Sequence, residues 1–480
     1  MYAECFILFD ECEKLVQDVH YRDSIREPMN DFFRFRDKAL ISATPIVPEK
    51  DNRFDGFTRV LIQPDYAYQQ KLKLITTNNV LATLQEVIEA KRGTVCIFCN
   101  SIDSIDSFYR LIPELNNACT FCSEDGQYKL WKGNRRKKSI MITELERYNF
   151  FTSRFYSAVD IVCKNPPHVI LISDLYGATQ SVIDPATEAI QIIGRFRGGV
   201  NTVTHIASIR PDLECMSANE IDSWIEGAAS IFNGWKKQLA RTSNIGERTL
   251  LQEAIGENSY LPYLDANGKP DPFLIANLYE KEQVKRLYTS ADLLCNAYQQ
   301  TDYFAFSHEE RLMPVSDNER MAIQHRLAKK KRAQLIVHKL EEMEKMSRAT
   351  DKKLQKRYQR MLGNLITTTT DRYLYDCFCR FGGDFIRESD YNENKLRTAL
   401  NVSSEHTIKQ SGQMKISIQR TFPIDSELSV QEAKSMLKQV YKKMGLNTER
   451  GITTKELEQY AEVEKGWKHD NRTIKILKFK

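Results

Sequence analysis

From Cys5 to about Ile209 the chain alternates short apolar runs with amphipathic stretches. "CFILF", "ALISAT", "TRVLIQ", "TVCIFC", "ACTFC", "SIMIT", "HVILIS" and "TVTHIAS" are near-continuous in apolar or β-branched residues. Such runs are expected of strands covered on both faces. Between several of them lie segments such as "VLATLQEVIEAK" and "IDSFYRLI", whose apolar residues recur at helical spacing. Strands alternating with helices predict an α/β fold built on parallel sheets.

Past about Pro211 the pattern becomes mainly helical. "SANEIDSWIEGAASIFNGWKKQLA" has helical periodicity, and "DANGKPD" (Asp265 to Asp271) predicts a turn. From Arg326 to Met361 thirteen Lys/Arg stand against four Asp/Glu. Its apolar stripe (Ile336, Leu340, Met343, Leu354, Tyr358, Met361) predicts a basic helix or helical hairpin with one buried face, or a short coiled-coil arm. From about Phe422 a small separate domain is expected. Ser429 and Glu432 form a capping box before "VQEAKSMLKQVYKKMG", which Gly445 would end. Thr453 and Glu456 repeat the box before "KELEQYAEV", and "GWKHDNRTIKILKF" predicts a two-stranded ribbon. Helix, helix and ribbon together are winged-helix-like.

With 480 residues, about three domains are expected. The 41% apolar content suffices for packed cores. No run approaches the roughly 18 apolar residues of a membrane span, and "MYAECFILFD" lacks the basic flank of a secretory signal. A cytoplasmic protein with no membrane partner is expected. The net charge of +5 is too small by itself to imply nucleic acid. The eleven cysteines suggest reduced, mostly buried thiols. Two CxxC pairs, Cys96/Cys99 and Cys119/Cys122, are separated by nineteen residues, near a zinc-ribbon spacing. Each pair lies in a strand-like run, where positions i and i+3 face opposite ways, so core cysteines are the better reading than zinc.

Three short stretches carry candidate chemistry. An apolar run ends in "DECE" (Asp10 to Glu13), which puts carboxylates at the carboxyl edge of a parallel strand, where α/β sheets bind ligands. "LISATP" (Leu40 to Pro45) ends another run with the hydroxyls of Ser42 and Thr44. "QIIGRFRGG" (Gln191 to Gly199) follows Asp184-Pro185, which predicts a helix start. Its Arg195 and Arg197 carry planar donor forks suited to phosphate oxygens. Each stretch alone has an ordinary structural explanation: helix capping, a proline-set turn, solvated arginines at a helix end.

In this order the stretches resemble the motifs of a superfamily 2 helicase. "DECE" resembles motif II, "SAT" motif III, "TVCIFCNS" motif IV, "FTSRFYSAVDI" motif V and "QIIGRFR" motif VI. The "GRxR" spacing is similar to that of the herpesvirus origin-binding helicases, where the commoner form is "GRxxR". Motif V has Ala158 where the family usually has Gly, so only Asp160 carries over. The resemblance implies a remnant of a first RecA-like domain in residues 1–65 and a second RecA-like domain in 66–210. A helical accessory region (211–325), a basic arm (326–365), an unassigned stretch (366–421) and the tail (422–480) would follow. It implies ATP and Mg²⁺ as cofactors and a nucleic acid, with DNA favoured, as partner. Asp10 would hold Mg²⁺ through water and Glu11 would polarise the attacking water. Gln191 and Asp160 would contact the nucleotide, with Arg195 and Arg197 reaching its phosphates and Arg197 the expected finger. Ser42 and Thr44 would couple hydrolysis to strand binding. Arg135, Arg136 and Lys137 in "GNRRKK" are candidate backbone contacts.

In that family a phosphate-binding loop lies well upstream of motif II. Here nine residues precede Asp10, and no G-x-x-x-x-G-K-[ST] occurs. The expectation is a downstream fragment, one half of a split gene whose upstream-encoded partner supplies the loop, or a relic. Isolated, the chain should lack ATPase activity. The rival reading is a non-catalytic DNA-binding or scaffolding protein derived from a helicase.

Overall fold

The computed structural model describes residues 2–20, 22–131, 137–142, 144–157, 159–265, 267–321, 327–347, 371–446, 448, 451–468 and 471–480. The chain divides into two compact units, 1–325 and 326–480.

The first unit is mixed α/β. Its opening layer is a two-stranded parallel sheet, β1 (Phe6–Asp10) against β2 (Asp37–Ile41), with Asp10 opposite Ile41. Ile7, Phe9 and Leu40 face a core made by Cys12, Leu15, Val16, Phe32, Phe273 and Leu274. Phe6, Leu8 and Ile41 point the other way and stay open to solvent.

The main layer is an eight-stranded, all-parallel sheet. Its strands are β3 (Gln70–Thr77), β4 (Val95–Phe98), β5 (Cys119–Phe121), β6 (Lys137–Ser139), β7 (Tyr148–Phe151), β8 (His168–Ser173), β9 (Thr202–Ser208) and β10 (Phe304–Arg311). The spatial order is β10-β3-β9-β8-β4-β7-β5-β6. Helices Val80–Glu89 and Ile102–Leu111 cover one face; Glu188–Gly194, Pro272–Leu287 and Ala291–Gln299 contribute to the core on the other. β4 and β8 are buried along their whole length because both faces are covered. Cys96 and Cys119 lie in one core and Cys99 and Cys122 in the opposite one, so the two thiols of each CxxC pair are separated by the sheet.

Several expectations need correction. "TRVLIQ" forms no strand: Val60, Leu61 and Ile62 lie outside any ladder and are about four-fifths exposed, since no neighbouring edge accepts them. "SIMIT" contributes only its serine to β6. β3, β7 and β10 come from segments not read as strands, and β10 carries the sheet past the boundary expected at residue 210. Asp317 ties the segment after β10 back to the sheet by accepting from the Val80 amide at 2.8 Å at the start of a covering helix. "DANGKPD" does turn, with the Asp265 amide donating to the Lys269 carbonyl at 2.7 Å.

The second unit opens with helices Lys329–Ser347, Arg372–Glu388 and Glu393–Lys409. Arg332 joins Asp371 at 2.6 Å and Arg387 joins Glu341 at 2.6 Å, fastening the first helix to the second. Of the basic arm (326–365), residue 326 and residues 348–365, with Leu354, Tyr358 and Met361 of the expected apolar stripe, lie outside the described residues. Helix Gly412–Thr421, just before the expected tail, packs with it; the tail itself contains β11 (Glu427–Ser429), helix Val430–Lys443, the 3₁₀ turn Thr454–Gln459, where a helix was expected, β12 (Ala461–Lys468) and β13 (Asn471–Phe479). Both expected capping boxes form, at Ser429/Glu432 and Thr453/Glu456. Gly445 ends its helix at φ 74°, a backbone that glycine adopts freely. The three strands make an antiparallel sheet of order β11-β13-β12 over one core with the two helices. Among the described residues no helix is long and apolar enough to cross a membrane.

Candidate functional site

β1 and β2 run parallel, so "DECE" and "SAT" leave the sheet at the same edge. Immediately past β1, Glu11 adopts φ 53°, a left-handed conformation uncommon for a residue with a side chain. Its amide donates to Asp10 Oδ1 at 2.9 Å. The turn separates the acids into two environments: Glu11 remains partly open, whereas Glu13 is fully buried beside the buried Cys12.

Helix Glu188–Gly194 approaches this edge from the main sheet. Ala189, Ile192 and Ile193 anchor it in the core, which leaves Gln191 and Arg195, one turn apart, on another face. Gln191 Nε2 donates both its hydrogens, to Glu13 Oε1 at 3.1 Å and to Thr44 Oγ1 at 3.0 Å. Gln191 Oε1 accepts from Arg195 Nη2 at 3.2 Å, and Arg195 Nε donates to the Gln191 carbonyl at 3.0 Å. With both ends of the amide committed, its orientation is set by the network. Arg195 is thereby held with Nη1 3.9 Å from Glu11 Oε1, only 11% exposed. The Ser42 hydroxyl accepts from the Thr44 amide at 2.9 Å, fixing the turn that presents Thr44.

A second bridge lies alongside. Gln17 Nε2 donates to Thr187 Oγ1 at 3.1 Å and to Glu280 Oε1 at 3.0 Å. Thr187 in turn donates to Asp184 Oδ2 at 2.6 Å. The helix therefore starts after Thr187, and Asp184-Pro185, expected to begin it, forms the preceding turn. Asn277 donates to the Val16 carbonyl at 2.8 Å, seating helix Pro272–Leu287 on the opening layer.

Burial dominates the electrostatics. It raises the Glu13 carboxyl above its ordinary range, partly offset by the Ser42 hydroxyl. It pushes Glu188 up to about 8 and Glu280 up to about 7. Glu13, Glu188 and Glu280 thus resist charging, whereas at the strand tip Asp10 is exposed and Glu11 partly open.

The structure thus gathers Asp10, Glu11, Ser42, Thr44, Gln191 and Arg195. Arg197, the arginine expected to act as finger, turns elsewhere: its Nε meets Asp160 Oδ1 at 3.0 Å, with both side chains more than half exposed. Arg195 is the arginine that faces the acidic edge. Arg135 and Arg136 lie outside the described residues, and of Lys137 only its backbone in β6 is described. Glu13, Gln17 and Glu280 were not among the expected site residues. Glu13 had a visible signal, a carboxylate between Cys12 and Leu15 in an otherwise buried stretch; Glu280 had none, being brought in by a helix from the accessory region.

Among the described residues no cluster of three or more His, Cys, Asp or Glu side chains is arranged to hold a metal ion. A magnesium ion that keeps several waters and takes phosphate oxygens needs only one or two carboxylates, and Asp10 and Glu11 fit that requirement. Comparison with protein-family models and with curated proteins finds no match for this chain.

Proposed function

We propose that this chain is the motor portion of an ATP-dependent DNA helicase or translocase of superfamily 2, with β1–β2 belonging to a first RecA-like domain and the eight-stranded sheet to a second. The observation that carries this reading is the bridge from Gln191 to Glu13 and Thr44, which joins three of the motif-like stretches in one site. Asp10 would hold Mg²⁺ through water, Glu11 would orient the attacking water, and Arg195 would meet the terminal phosphate. ATP supplies the transferable phosphoryl group when bound. Gln191 and Thr44 would relay closure of the site to the rest of the opening layer.

The residues present fit one side of a triphosphate only, because the chain contains no G-x-x-x-x-G-K-[ST] loop. The outer face of β1–β2 supports completion by further polypeptide. Phe6 and Leu8 are 63% and 53% exposed, whereas parallel strands are ordinarily covered on both faces. A polypeptide carrying the loop would extend this layer.

DNA-stimulated ATP hydrolysis tests the reading. The chain alone is expected to hydrolyse no ATP, and the chain combined with an adjacently encoded polypeptide carrying the loop is expected to do so. A non-catalytic nucleic-acid-binding role is the second reading, favoured by the missing loop; failure of hydrolysis with a loop-bearing partner would select it.

A further inference from the structure

The two units carry opposite charge. Residues 1–325 hold 36 Lys/Arg and 44 Asp/Glu, whereas residues 326–480 hold 33 and 20, a net of +13 in the smaller unit. Within its tail, Lys434, Lys438 and Lys442 recur every fourth residue on the exposed side of helix Val430–Lys443, and none meets an acid among the described residues. Like charges at that spacing repel one another, a cost that the helix dipole offsets only for Lys442 in the last turn and that an anion lying along the row would relieve.

The hairpin β12–β13 adds an aromatic platform. Trp467 is paired across the ladder with Arg472, whose guanidinium lies 5.2 Å from the indole centroid. Arg472 shares its strand face with Ile474 and Ile476, both buried. At Trp467 the hairpin has run past that core, and the indole is 70% exposed. A tryptophan with a cation beside it and most of its surface in water suits a nucleobase: the indole stacks, and the guanidinium reaches a phosphate. Bases within a duplex have both faces occupied by neighbours, which makes unpaired nucleotides the fitting partner.

We propose that the Trp467–Arg472 pair is a stacking site for unpaired nucleic acid, with the Lys434–Lys438–Lys442 row of the same unit as a further phosphate contact. This adds a second contact to the motor reading and stands whether or not the first unit hydrolyses ATP.

The test is equilibrium binding of the full 480-residue chain to labelled oligothymidylate and to a blunt duplex of equal length, by fluorescence anisotropy. Wild type should prefer the single strand, and both affinities should fall with salt. Trp467→Ala should weaken single-strand binding roughly five- to a hundred-fold, the range for one lost base stack, and leave duplex binding nearly unchanged. Changing the three lysines to glutamine should weaken both and flatten the salt dependence. An unchanged thermal melt would show that the exposed substitutions leave the fold intact. Equal single-strand affinity of Trp467→Ala and wild type would overturn the proposal. So would absence of binding to either oligonucleotide, which would assign the surface to a protein partner. Hydrolysis is measured separately, so either proposal can fail alone.

Discussion

Gln191 donates to Glu13 across 178 positions of sequence, and the same amide nitrogen donates to Thr44. Two sheets that share no ladder are thus joined by one side chain whose polar atoms are all engaged. Gln191→Leu keeps the size of the side chain but leaves Glu13 and Thr44 buried without this donor. It should destabilise the first unit by about 1–3 kcal/mol, the cost of stranding buried polar groups. Glu13→Gln in the Gln191→Leu background should add less than it costs alone, because the pair is coupled. Denaturant unfolding of the four proteins completes the cycle; strict additivity would mean that the bond contributes nothing.

Glu188 and Glu280 give the first unit a pH dependence of definite sign. Their folded carboxyls titrate near 8 and 7, against an ordinary value of 4.5, because burial penalises the charged form. The folded protein therefore binds protons that the unfolded chain releases. Their contribution is fully present below about 4.5 and is lost as pH rises through 7 and then 8. Unfolding measured between pH 5 and 8.5 should show falling stability, and Glu188→Gln should flatten the upper part of that fall. A variant with the wild-type slope would contradict the assignment.

The strand cysteines should be chemically silent. Cys96, Cys99, Cys119 and Cys122 are buried, and burial raises Cys122 to about 11 and Cys99 further. Exposed Cys5 and Cys379 should alkylate in the native protein. The four should react only on unfolding, as mass spectrometry of labelled peptides would show. Native labelling of Cys99 would place it outside the core.

What could be read from the chain divides along physical lines. "HVILIS" is legible because β8 is covered on both faces, so from Val169 to Ser173 every residue is apolar or small. β3, "QKLKLITT", carries Lys71 and Lys73 at exposed positions, and β10, "FAFSHEER", is an edge strand that keeps charges. Neither shows the continuous apolar run that marks a buried parallel strand. "TRVLIQ" has the composition of a strand, yet β-propensity reports fit to a neighbouring surface, and none is present for it. At the site, Asp10, Thr44, Gln191 and Arg195 follow from motif order. Glu280 does not, because its place is set by how helix Pro272–Leu287 packs on Val16 and Gln17. Which arginine faces the acids was likewise hidden: the two stand two positions apart just past the helix end at Gly194, where Phe196 is buried between them and Arg197 turns outward.

That choice between two arginines gives the most direct measurement of the central claim, that the acidic strand tip and the Gln191 helix are one nucleotide site. ATP hydrolysis should be compared for wild type, Arg195→Ala and Arg197→Ala in the assembly completed with a loop-bearing polypeptide. An arginine that stabilises a transferring phosphoryl group is worth about 10³–10⁵ in rate. The account predicts a loss of that order for Arg195→Ala and a far smaller one for Arg197→Ala. Hydrolysis by Arg195→Ala at the wild-type rate would contradict it.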